Sequence, residues 1–143
     1  MKINDVIAAK PRHDVVTVPP DTTVRDLLAV LADNNVGAVV VSNDGRKIAG
    51  IVSERDVVRK LNGNDGVLDA PVSQIMTTDV VSVTPSDSLE GIRRMMTERR
   101  FRHLPVVDDG DLVGIVSIGD VVKTHIAEVE FERDQLDSYV HQT

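Results

Sequence analysis

No cysteine occurs among the 143 residues, which removes disulfides, thiolate metal sites and cysteine nucleophiles together. Tryptophan is missing too, and aromatic residues make up 2% of the chain. Single-stranded nucleic acid would find almost no rings on which to stack its bases. A net charge of −7 also opposes a phosphate backbone. No apolar run comes near the roughly 20 residues of a membrane-spanning helix. The opening Met1-Lys2-Ile3-Asn4-Asp5 lacks the basic-then-apolar order of a secretory signal. These absences predict a cytoplasmic protein with neither a nucleic-acid nor a membrane partner. What remains is globular in composition, 41% hydrophobic and 27% charged, and long enough for one domain or two small halves sharing a core.

The sequence repeats itself. Asp14-Val15-Val16-Thr17-Val18 returns as Asp79-Val80-Val81-Ser82-Val83, and Pro20 returns as Pro85, at an offset of 65. Gly50-Ile51-Val52-Ser53 returns as Gly114-Ile115-Val116-Ser117, and Asp56-Val57-Val58 as Asp120-Val121-Val122, at an offset of 64. One residue was lost in the turn between Gly110 and Gly114. Ile3 and Val6 precede the first copy as Val72 and Ile75 precede the second. Such periodicity describes one supersecondary unit used twice.

Each copy predicts the same elements. A β-branched run, Val15–Val18 or Val80–Val83, is a strand by composition. Hydroxyl and carboxylate residues then mark a helix start before Val24 and before Leu89. Val24, Leu27, Leu28 and Leu31 share a helical face, as do Leu89, Ile92 and Met96. Ala38–Val41 and Leu104–Val107 are continuous apolar runs, expected of buried strands. Asn43-Asp44-Gly45 and Asp108-Asp109-Gly110 supply hairpin turns, and Ile48–Val52 and Leu112–Val116 pair back. A short helix follows Ser53 and ends near the linker Asn62-Gly63-Asn64, which continues to about Pro71. A longer one follows Ser117 and runs to about Tyr139.

Strand, helix, hairpin, helix, twice, with Gly-x-x-Ser-x-x-Asp closing each third strand, resembles the CBS domain family. The residues that carry the resemblance are Gly50-Ile51-Val52-Ser53-Glu54-Arg55-Asp56 and Gly114-Ile115-Val116-Ser117-Ile118-Gly119-Asp120. The resemblance implies a mixed α/β fold: two pseudo-twofold-related β-α-β-β-α repeats in one compact module, with two clefts between them. The expected divisions are repeat one at 1–65, repeat two at 66–127, and a C-terminal helical extension at 128–143. It implies a stand-alone regulatory module that binds an adenine nucleotide and signals to a protein partner that the sequence does not name. AMP is the first expectation for the ligand, with ATP, ADP, NAD(H) or an S-adenosyl compound as alternatives. Homodimerisation through helices is implied as well. The ligand-lining set it implies is Thr17, Gly37, Ala38, Ser53, Arg55, Asp56, Ser82, Arg102, His103, Pro105, Ser117 and Asp120.

The chemistry at several of these positions stands by itself. A carboxylate is a two-oxygen acceptor, suited to the paired hydroxyls of a ribose, as in dinucleotide folds. Ser53 and Ser117 can donate to a ribose or phosphate oxygen, beside helix N-termini that favour anions. The competing reading is that Ser53 and Asp56 merely cap a helix. Arg99, Arg100, Arg102 and His103 form the densest basic stretch. Guanidinium groups fit phosphate, though a solvated helix end explains Arg99 equally well, and Arg55 is either a phosphate contact or surface. Copy one has Asn35, Gly37 and Ala38 where copy two has Arg100, Arg102 and His103. The clefts are therefore expected to differ, although the sequence does not say which cleft the basic residues serve.

No catalytic or metal-binding residues are predicted. His13, His103, His125 and His141 have no metal-ligand spacing, and neither a nucleophile elbow nor a phosphate-cradling loop occurs. The segment Glu128–His141 is helical by propensity and carries Phe131, Leu136 and Tyr139. Its apolar side suits a dimer or intramolecular contact rather than a membrane anchor, unless the segment frays. The rival to a ligand-binding module is an interaction or dimerisation module with vestigial clefts.

Overall fold

A hydroxyl starts the first long helix of each copy. In the computed structural model, which describes residues 1–11 and 14–141, Thr23 caps α2 (Val24–Asn34) and Ser88 caps α4 (Leu89–Arg99). Each side-chain oxygen accepts a backbone N–H at 3.1 Å, from Asp26 and Gly91 respectively, satisfying a donor that the first helical turn leaves over. Both helices end on a left-handed residue, Asn35 or Arg100, one repeat apart. Their buried faces are Val24, Leu27 and Leu31, and Leu89, Ile92 and Met96. Leu28, expected on the first face, lies at its edge and is 38% exposed. His13 and the last two residues of the expected C-terminal extension lie outside the described residues.

Strand β1 (Thr17–Val18) runs parallel to β2 (Ala38–Val41), which pairs antiparallel with β3 (Gly50–Ser53). In copy two, β4 (His103–Asp108) and β5 (Asp111–Ser117) form the equivalent hairpin. The strand expected at Val80–Val83 is reduced there to one parallel bridge between Val83 and Val106. Pro105 stands where copy one has Val40, and proline has no N–H to offer a neighbouring strand. The hairpin turns have positive φ at Gly45, Asp109 and Gly110. Helices α3 (Glu54–Leu61) and α5 (Ile118–His141) follow the hairpins. Helix α1 (Ile3–Ala9) precedes β1, and two 3₁₀ turns, Asp65–Asp69 and Val72–Gln74, occupy the linker.

The two cores exchange their leading segments. Ile3 and Val6 of α1 are buried with Val83, Leu89, Ile92, Leu104, Val106 and Val116 of copy two. Val67, Val72 and Ile75 of the linker are buried with Val18, Leu27, Val39, Val41 and Val52 of copy one. Backbone bonds fix each docking. Ile3 N–H donates to the Asp87 carbonyl and Leu89 N–H to that of Met1, both at 2.9 Å, while Val72 N–H donates to the Thr22 carbonyl at 2.7 Å. Each copy is thus closed by the residues that precede the other.

The halves also meet at their hairpin ends. There Arg46 and Lys47 pair with Asp111, and Leu112 N–H donates to the Arg46 carbonyl. The last 13 residues of α5, 129–141, are all exposed.

Candidate functional site

Ser53 ends β3 and caps α3. Its hydroxyl oxygen accepts the Asp56 N–H at 3.3 Å, while Asp56 Oδ2 accepts from the Ser53 N–H at 2.8 Å and from its hydroxyl at 3.0 Å. Ser117 and Asp120 repeat this at the start of α5: Ser117 N–H donates to Asp120 Oδ2 at 2.9 Å, and Asp120 N–H donates to the Ser117 hydroxyl at 3.1 Å. The capping reading is therefore real in both copies. It does not exclude a ligand, because each carboxylate also lines a cleft between the halves.

The first cleft, about 660 Å³, holds Ser53, Arg55 and Asp56 from copy one. Arg100, Arg102 and His103 face them from copy two. The basic residues of copy two thus share a cleft with the carboxylate of copy one, which answers the assignment the sequence left open. The second cleft, about 350 Å³, holds Ser117 and Asp120 with Lys10, Asp14 and Val16 from the N-terminal side. Gly37, Ala38 and His103 line both clefts. A Cβ on Gly37 would sit 3.4 Å from His103 Nε2 and 3.5 Å from Glu54 Oε1. His103 and Glu54 thus lie beside Gly37 at the divide between the clefts, at ordinary contact distance from a side chain placed there. Two equivalent bonds set the walls: Glu54 N–H donates to the Gly37 carbonyl at 2.9 Å, and Ile118 N–H to that of Arg102 at 2.8 Å.

Charge differs across this divide. Asp120 Oδ2 pairs with Lys10 Nζ at 2.9 Å, and that ammonium also donates to the Ile115 carbonyl at 2.8 Å. Burial pushes the Asp120 carboxyl upward, but the Ser117 N–H and the Lys10 ammonium together outweigh it and hold it below 3.8. Burial lowers His103 below its ordinary 6.5, despite the opposing pull of Glu54 and Asp120. Burial thus favours the neutral ring, a single donor and a single acceptor.

Nine of the twelve anticipated residues line the clefts: Gly37, Ala38, Ser53, Arg55, Asp56, Arg102, His103, Ser117 and Asp120. Thr17, Ser82 and Pro105 are not brought there. Thr17 lies near the turn at Gly45, and Ser82 borders a groove with Lys47 and Gly110. Pro105 pairs with Ile115 inside the second hairpin. Lys10, Asp14, Arg59 and Phe101 are cleft residues that the sequence reading did not select. Asp14 opens the repeated Asp-Val-Val run, a usable signal; nothing local in the sequence joins Lys10 to Asp120. No group of three or more His, Asp or Glu side chains among the described residues is placed to hold a metal. No helix among them is long and apolar enough to cross a membrane.

Three comparisons bear on this architecture. The Arabidopsis thaliana mitochondrial protein CBSX3, a CBS domain-containing protein, is 37% identical over 126 residues, or 84% of this chain and 61% of its own length. This chain thus spans under two thirds of that relative. A putative signal-transduction protein with CBS domains from Burkholderia ambifaria superposes with a TM-score of 0.83 at 41% identity, covering 89% of this chain and 95% of the other. The crystal structure of CBSX2 in complex with AMP superposes with a TM-score of 0.75 at 32% identity, covering 88% and 96%. Residues 3–63 and 72–126 each match the CBS domain, and these are the stretches whose elements repeat and whose Ser-x-x-Asp ends face the clefts. The chain therefore belongs to the CBS domain family, as a tandem pair.

Proposed function

We propose that this pair is a regulatory module, without catalysis of its own, that binds an adenine nucleotide in its clefts and passes their occupancy to a protein partner in the cytoplasm. Sequence copies 1–65 and 66–127 form the sensing body in this reading, and 128–143 an appended arm. The observation that carries the reading is the matched pair of carboxylates, Asp56 and Asp120, each facing a cleft from a helix cap. A ribose diol donates to such a carboxylate, and Arg55, Arg100 and Arg102 offer phosphate contacts in the first cleft. Apolar neighbours, Ile51 and Ile118 in one cleft and Val16 and Ile115 in the other, suit a purine. The AMP complex of CBSX2 makes AMP the first ligand to try, with ADP, ATP and NAD(H) next.

Thermal melting with each nucleotide tests this. A ligand that binds only the folded state adds RT ln(1 + [L]/Kd), about 2.7 kcal/mol at a hundredfold excess over Kd, and should raise the melting temperature by several degrees. No shift with any of them, and no nucleotide released from the purified protein by heat, would contradict the proposal.

A second reading, dimerisation through helices, is favoured by α5. Val122, Ile126, Val129, Leu136 and Val140 are all exposed on it, spaced as one apolar stripe. Two copies pairing along this stripe would give a homodimer. Light scattering that returns a 15.6 kDa species across micromolar concentrations would contradict it.

A further inference from the structure

Beyond the backbone N–H each accepts, the two carboxylates have different partners. Asp56 Oδ2 is bonded within its own helix cap, by the Ser53 N–H and hydroxyl, and no salt bridge to Asp56 is present among the described residues. Asp120 Oδ2 instead shares the Lys10 ammonium, 110 residues distant in the chain, at 2.9 Å, with both side chains only about a quarter exposed. Lys10 is the residue that ends α1, and α1 is anchored by burial of Ile3 and Val6 in the second core. Its backbone is therefore fixed, while its four-carbon stem can turn.

We propose that Lys10 is a specificity-determining residue of the second cleft, making occupancy there depend on a phosphate on the ligand. Nucleoside phosphates are accepted and uncharged nucleosides refused. The proposal rests on the ribose reading of Asp120 given above. A ribose that reaches Asp120 donates hydrogen bonds to a carboxylate that the ammonium already occupies. An uncharged nucleoside displacing Lys10 separates a part-buried ammonium from the carboxylate it is paired with and supplies no charge in return, which is unfavourable. A phosphate restores the missing negative charge, and a flexible stem with three donors can turn from carboxylate to phosphate within the cleft. The first cleft has no such competitor at its carboxylate, so adenosine is admitted there.

The test titrates Asp56→Ala, which weakens the first cleft so that the second dominates, with AMP and with adenosine by calorimetry. The same titrations follow with Lys10→Met and Lys10→Arg added. With Lys10 present, AMP should bind at least about tenfold more tightly than adenosine. Lys10→Met should bring the two near parity, and Lys10→Arg should keep the preference, a pattern that simple loss of stability does not produce. An unchanged AMP-to-adenosine ratio in Lys10→Met overturns the proposal. So does a silent second cleft in Asp56→Ala when the unaltered protein binds AMP. If the unaltered protein binds neither ligand, the ribose reading itself fails.

Discussion

The two clefts end in the same Ser-x-x-Asp cap, yet one carboxylate faces arginines and the other is tied to a lysine. The motif sets the local geometry, a serine hydroxyl and a backbone N–H holding a carboxylate at a helix start. It does not set the charge around that carboxylate. Arg100 and Arg102 reach the first cleft because the copies face each other, and Lys10 reaches the second because α1 docks on the wrong half by sequence order. Duplicated caps can thus diverge in the charge around their carboxylates without any change in the Ser-x-x-Asp motif itself.

The comparison can be tested from its foundations upward. The largest effect should come from Ile3→Ala, which removes a fully buried side chain of copy one's leading segment from copy two's core. Truncation of that kind costs about 2–5 kcal/mol, so the midpoint of urea unfolding should fall markedly. A midpoint within error of the unaltered protein would break the account of exchanged segments. Next in size, Asp56→Ala and Asp120→Ala should each weaken AMP binding roughly tenfold to a hundredfold, each at its own cleft. Calorimetry in which either variant abolishes both sites, or neither, would show that the clefts are not independent carboxylate sites.

A smaller effect is expected from Arg102→Ala, about tenfold on ATP with little change for adenosine. Because Arg102 is exposed, that difference should shrink as salt rises. Equal losses for both ligands would remove Arg102 from the phosphate. Smallest is the pH effect. His103 is held below 6.5 chiefly by burial. In the empty module its stabilising contribution is therefore complete above about pH 6.5 and lost as the pH falls through the lowered value. A bound phosphate favours the protonated ring, so AMP should gain about two- to threefold over adenosine between pH 7 and pH 6. Titrations in buffers of different ionisation heat would reveal the accompanying proton uptake; its absence would place His103 away from the phosphate.

Much of the fold was legible in the sequence because its signals are local. The hydroxyls before Val24 and Leu89 cap helices, the glycines at 45 and 110 turn hairpins, and the apolar runs from 38 and 104 are strands. The carboxylates and serines of the clefts were legible for the same reason, since one short motif contains both. What lay hidden depends on distant partners. The shortening of the strand before Val83 follows from a proline on the strand beside it, not from its own β-branched composition. Ile3 and Val72 look like matched preludes to the copies they precede, yet each packs in the other core. Lys10 is one of 16 basic residues until the fold sets it against Asp120. Thr17 lies by the Gly45 turn and Ser82 by a groove with Lys47 and Gly110, while Val16 supplies a wall of the second cleft.

In the proposed function, matched carboxylates in unequal clefts receive the ribose of an adenine nucleotide. A crystal structure of the protein with AMP tests it most directly. The 2′ and 3′ hydroxyls should lie within hydrogen-bond distance of the Asp56 carboxylate, with the phosphate directed at Arg102. The same ribose contact should form at Asp120, with Lys10 turned from the carboxylate to the phosphate. AMP bound outside both clefts, or inside them with its ribose away from Asp56 and Asp120, would contradict it.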